Sequence, residues 1–201
     1  MVQQKKIKIT KPLADDKVHY ELPFLRENRV TRAIDRFVGV IGDVSSWIWL
    51  VLLAVIIGNV ILRYVFNQGM IELEELQWYL YAAAWLIGLS YTFISDGHVR
   101  VDVVSETLSK RTKLWVEGIG LLVLFLPFVC FVLYHSWAFF HLSWVTGETS
   151  TSANGLSARW LVKGCLGFSF GLLLLVGFSR LIKVVNTLVF GQLNADVGSQ
   201  R

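Results

Sequence analysis

The chain has 201 residues, of which 54% are hydrophobic and only 17% charged, and carries a formal net charge of +4. The charged share is below the roughly 25% of an average soluble domain, and the apolar residues gather in blocks of about 20, the length that crosses ~30 Å of hydrocarbon. This excludes an ordinary soluble domain and argues against nucleic acid as the partner of the positive charge, because basic residues beside apolar spans set membrane orientation.

In chain order, residues 1–23 are Lys-rich, contain Pro12 and Pro23, and read as a flexible cytoplasmic tail. Over residues 24–42, Phe24, Leu25, Val30, Ala33, Ile34, Phe37, Val38 and Ile41 recur at helical spacing with Arg26, Arg29, Arg32 and Arg36 between them. That pattern predicts a basic amphipathic helix lying on membrane lipid; a solvated extension of the first span is the alternative. The first apolar run begins too late for the core of a secretory signal, so the first span is expected to be an uncleaved anchor.

A membrane domain is expected over 43–185, with spans at about 43–66, 71–94, 112–141 and 160–182 and a polar cytoplasmic tail over 186–201. Each span must satisfy its own backbone hydrogen bonds and is therefore helical. The fold class is thus an all-α integral membrane protein with four transmembrane helices plus the N-terminal surface helix. Asn67-Gln68-Gly69 makes the first connection so short that the second helix must return antiparallel beside the first. That second helix opens on Glu72, Glu74 and Glu75, favoured at a helix N-terminus, and carries Trp78, Tyr79, Tyr81, Trp85 and Tyr91. Pro127 in the third helix opposes the carbonyl of Val123 and predicts a kink. Gly164, Gly167 and Gly171 share a face of the fourth helix, a spacing that lets backbones approach closely. Of the 19 Lys and Arg residues, only Arg63, Arg159 and Lys163 fall on the side opposite the termini and the middle loop. The positive-inside rule then places both termini in the cytoplasm.

Polar residues in such a chain need a reason. Arg63 sits near the outer end of the first span, where a charge must snorkel or pair; an ion pair across the tight turn with Glu72, Glu74 or Glu75 locks the hairpin, and the same cluster is a candidate outward docking or assembly site. Glu148 is the nearest acid to Arg159 and Lys163 and a partner for either one, and these three are further candidates for the outward docking or assembly site. Asn59 suits an interhelical hydrogen bond. Cys130 and Cys165 form no Cys-x-x-Cys or metal pattern and read as small buried hydrophobes. His135 and His141, six residues apart, lie on different helix faces and do not suggest haem ligation. No catalytic motif, cofactor site or metal site is recognisable, and no enzyme is expected.

Three blocks carry a resemblance. They are Asn59-Val60-Ile61-Leu62-Arg63-Tyr64-Val65-Phe66-Asn67 followed by Glu74-Glu75-Leu76; Gly97-His98-Val99-Arg100-Val101-Asp102; and Ser143-Trp144 with Glu148, then Gly155-Leu156-Ser157-Ala158-Arg159-Trp160-Leu161-Val162-Lys163. Across about residues 35–185 the chain resembles the small, DctQ-like permease subunits of tripartite ATP-independent periplasmic (TRAP) transporters. The third block, with Leu126-Pro127-Phe128, is similar to the mannitol/chloroaromatic (2-oxo acid type) subfamily. Ser157 departs from it where proline is expected, which questions the rigidity of the outer loop. The resemblance implies a bacterial inner-membrane complex with a large permease subunit that holds the transport path, a periplasmic substrate-binding protein, sodium coupling, and no ATP hydrolysis. It implies a bracing and docking role for this chain. His98, Arg100 and Asp102 then read either as a capped cytoplasmic turn or as a contact with the large subunit or lipid. A haem-carrying oxidoreductase subunit and an independent small exporter are the competing classes; the second would favour a membrane-embedded carboxylate, whereas these acids cluster at helix ends.

Overall fold

A computed structural model describes residues 25, 27–95, 109–152 and 155–198, and among them all regular structure is helical. The elements are α1 (Arg29–Ser45), α2 (Trp47–Tyr64), α3 (Ile71–Ile94), α4 (Lys110–Ile119), a π-helical segment (Gly120–Phe125), α5 (Leu126–Val145) and α6 (Trp160–Gly198). Helix α6 is the central strut, packing against α1, α3, α4 and α5, while α3 returns along α2 and then α1.

Three stretches are long and apolar enough to cross a membrane: Arg29–Tyr64, Arg111–Val145 and Trp160–Val189. Helix α3 has the length, at 24 residues, but its glutamates and many Trp and Tyr residues make it less apolar. The core is narrow. Val38, Leu172 and Val176 form one cluster and Leu114, Leu121 and Val184 another, with Phe93 packed against both. Small hydroxyls fill the helix contacts, as where Ser90 Oγ donates to the Ser169 carbonyl at 3.3 Å. Large apolar side chains such as Trp47, Leu53, Trp78, Leu124, Phe131 and Trp137 face outward instead. A surface of this kind suits hydrocarbon or a partner, not water.

Several elements differ from the sequence-based expectation. The helix expected from residue 24 begins at Arg29, because Asn28 and Thr31 form reciprocal capping hydrogen bonds there. It does not stand apart from the first span: Ser46, the residue between α1 and α2, keeps helical angles of φ −60° and ψ −26°. Part of the apolar stripe of α1 is turned inward, with Val38 only 1% exposed against α6 and Ile34 and Ile41 packed beside it, while Val30 and Phe37 stay exposed. The third helix runs from Lys110 to Val145, longer than expected, and Pro127 is accommodated by the π-helical segment before it, where the Leu126 N–H reaches back five residues to the Leu121 carbonyl. The fourth span, expected to end at about 182 before a tail over 186–201, continues as helix to Gly198, and Val184 and Leu188 continue the contact with Leu114 and Leu121. Cys130 is exposed, not buried, and Cys165 is half-buried, as follows when a helix face is itself the apolar outer surface.

Candidate docking and assembly site

The α2–α3 turn and the α5–α6 loop meet at one end of the bundle. Helix α2 stops at Tyr64, and Asn67 takes a left-handed φ of 53°, which Asn tolerates better than most residues. The Gln68 N–H closes the turn on the Leu62 carbonyl at 2.9 Å. This brings Arg63 against Glu74, and the two form an ion pair with each side chain close to half exposed. Of the candidate partners for Arg63, the structure selects Glu74. Glu72 is exposed in the first turn of α3 and makes no ion pair among the described residues.

Glu75 points elsewhere. Its carboxylate accepts from Ser150 Oγ and, at 2.6 Å, from the Leu156 N–H, lashing the α5–α6 loop to the start of α3. Gly155 is required in that contact, since a Cβ there would lie 2.9 Å from Glu75 Oε1 and collide with Ser150. Glu148 binds both of its expected partners, Lys163 by a direct hydrogen bond and Arg159 at 3.6 Å. The Lys163 ammonium holds the Glu148 carboxyl below its ordinary value. Lys163 also lies 4.1 Å from the centre of the Phe139 ring, a cation–π contact. The Ser150 N–H donates to the Leu156 carbonyl at 3.2 Å, so the loop on both sides of Ser157 is tied by hydrogen bonds where proline was expected.

Asn59 lies one helical turn inward from Arg63, only 7% exposed, and its Oδ1 finds no donor. The Nε2 of Gln77, on the facing helix, is likewise buried without an acceptor. Both line an α2–α3 groove of about 600 Å³ that also takes in Arg63, Glu74, Trp78 and Tyr81. Gly164 and Gly167 admit α5: a Cβ on either would sit 3.1 Å from Phe140 or from Ser136 Oγ, whereas Gly171 has open space around it. His98, Arg100 and Asp102 lie outside the described residues.

Sequence reasoning missed a second cluster at the opposite end. Lys183 Nζ reaches Asp35 Oδ2 at 2.7 Å and Glu27 Oε1 at 3.5 Å; Ser179 Oγ donates to Asp35 Oδ1 at 2.7 Å; Arg180 Nε meets Glu117 Oε1 at 2.5 Å. Arg180 and Lys183 are buried, and they join α6 to α1 and α4. The sequence held a signal: Asp35 interrupts the Ile34–Val38–Ile41 stripe, and Lys183 stands between Ile182 and Val184. Charges on apolar faces of two helices point to a pair between them.

No group of three or more His, Cys, Asp or Glu among the described residues is placed to hold a metal ion. The family model for "Tripartite ATP-independent periplasmic transporters, DctQ component" matches residues 52–187, more than half of the chain, from α2 through most of α6 and including Arg63, Glu74, Glu75, Glu148, Arg159 and Lys163. Comparison with curated proteins and with solved structures gives no match.

Proposed function

The chain belongs to the DctQ component family of the tripartite ATP-independent periplasmic transporters, and from that premise we propose that it is the small membrane subunit of a sodium-coupled importer, bracing the large permease subunit and helping to dock the periplasmic binding protein. The family is that of a transporter component, not an enzyme, and in such systems the component works with a large permease and a binding protein. The proposal places the chain in a bacterial inner membrane with four spans. Helix α3 is the fourth: its glutamates and its Trp and Tyr residues make it less apolar than the other spans, and it packs on α2 and α6. Both termini lie in the cytoplasm, which puts Arg63, Arg159 and Lys163 outside. The third motif block supports the mannitol/chloroaromatic branch and an organic acid, such as a 2-oxo acid, as cargo.

The observation that carries this reading is the use made of the outer charges. Glu74, Glu75 and Glu148 are engaged with Arg63, with the loop, and with Arg159 and Lys163. Charges committed to one another build a fixed shape and leave little to bind a small anion. The sites for substrate and sodium therefore belong to the large subunit. Exposed Glu72 is the acid left for contact with the binding protein.

The test is the Glu74→Gln/Glu75→Gln variant in the assembled transporter. Recovery of the complex, or the maximal uptake rate, is expected to fall with the substrate concentration for half-maximal uptake unchanged. Intact assembly and rate with altered substrate affinity would overturn the assignment.

A further inference from the structure

The α2–α3 groove contains a hydrogen-bond pattern without a counterpart. Asn59 Oδ1 is an unfilled acceptor and Gln77 Nε2 an unfilled donor, each fully covered by its own surroundings, on two helices that face each other. They sit on the inward side of the Arg63–Glu74 ion pair, about one turn or 5 Å deeper for Asn59. The flanks of the groove are apolar or aromatic and turned outward: Val60 is 48% exposed, Trp78 71% and Tyr81 44%. Acyl chains cover such flanks equally well but offer nothing to a buried amide, and an unmatched polar group in hydrocarbon is costly.

We propose that this groove seats a transmembrane helix of the large permease subunit, which presents one side chain able both to donate and to accept, an amide or a hydroxyl, toward which the covered Asn59 and Gln77 amides turn on binding. The inference rests on the scaffold function proposed above and says which face performs it. The aromatic flank of α3 then covers the incoming helix, and the Arg63–Glu74 pair closes the outer end of the seat. The outward aromatic residues of α3 gain a purpose as contact area instead of lipid-facing surface.

The test uses the full chain co-expressed with its large permease and carried through purification. Asn59→Leu and Gln77→Leu keep side-chain size close while removing one hydrogen-bonding group each. Each is expected to lower the recovered large subunit about three- to tenfold, the range of an interhelical hydrogen bond, with the yield of this chain unchanged. Wild-type recovery in both variants would overturn the inference while leaving the scaffold reading standing. Failure of the unaltered chain to recover the large subunit at all would overturn both.

A second measurement does not depend on how the leucine variants fold. In a background with Cys130 and Cys165 replaced by Ala, Val60→Cys is expected to cross-link to the large subunit, and Leu124→Cys, on the exposed face of the third long helix, is not. Cross-linking of Val60→Cys to a second copy of this chain would overturn the inference in favour of self-association.

Discussion

The two ends of the bundle use the same residue types for opposite purposes. At the outer end Arg63 and Glu74 are nearly half exposed, and Glu148 with Arg159 remains about one-third exposed. At the other end the Lys183 and Arg180 side chains are only 6% and 7% exposed. Exposed ion pairs contribute about 0–1 kcal/mol each. Their value here lies in shape: they fix the hairpin to the loop and hold the outline of that end constant. The buried cluster holds α1 and α4 on α6, and there the loss of one partner leaves a charge stranded away from solvent. Similar chemistry thus shapes one end and fastens the other.

The sharpest way to break this contrast is Lys183→Met. It strands Asp35, while Glu27 keeps Arg32 at 3.3 Å, and a loss of about 3–5 kcal/mol is expected, read as a lower thermal transition in detergent and faster proteolysis near α1. The Lys183→Met/Asp35→Leu double variant is expected to recover much of that loss. If Lys183→Met matched the parent, the inner cluster would be no stronger than a surface pair.

Gly155→Ala tests the outer lashing next. Its Cβ displaces Ser150 from Glu75, and overpacking of this kind costs about 1–3 kcal/mol. The expected readout is faster hydrogen exchange at the Leu156 amide and cleavage within residues 146–159, with the bundle intact.

Arg63→Ala is expected to cost less than about 1 kcal/mol of stability while lowering recovery of the assembled complex. A large stability loss would place Arg63 on the fastening side of the comparison.

Acid pH offers the gentlest probe. The Glu148 carboxyl is held low by Lys163, so its contribution is fully present above the ordinary carboxylate value and is lost only as pH falls through the lowered one. The loop should stay protected at pH 5 and loosen below the ordinary carboxylate range, with Glu148→Gln loose throughout.

How much of this was legible in the sequence depends on distance along the chain. Helix α3 begins and ends where the apolar run and the glutamates say it does, and the turn before it follows from its length. The Arg63–Glu74 pair and the Glu148 contacts with Arg159 and Lys163 were readable because each joins neighbours across a short connection. The grip of Glu75 on Ser150 and Leu156 was not, since it joins residues 75 and 81 positions apart, and periodicity carries no information about which loop a carboxylate reaches. The inward packing of α1 was also hidden: an amphipathic helix looks the same in sequence whether its apolar face meets lipid or protein. Arg180 and Lys183 entered the sequence reading only as charges of the cytoplasmic side, because a sequence shows where a charge lies along a helix but not what covers it. The π-helical segment escaped for a similar reason, since proline signals a conflict with the preceding turn but not whether the helix bends or widens to resolve it.

The central claim is that this chain is required as a brace, not as the transport path. Its most direct test is sodium-gradient-driven uptake into proteoliposomes that hold the large permease and a binding protein shown to bind the labelled 2-oxo acid, with this chain present or omitted. The account predicts uptake that collapses on omission and returns when the chain is added back, with the substrate affinity of the binding protein unchanged. Uptake at full rate without this chain would contradict it.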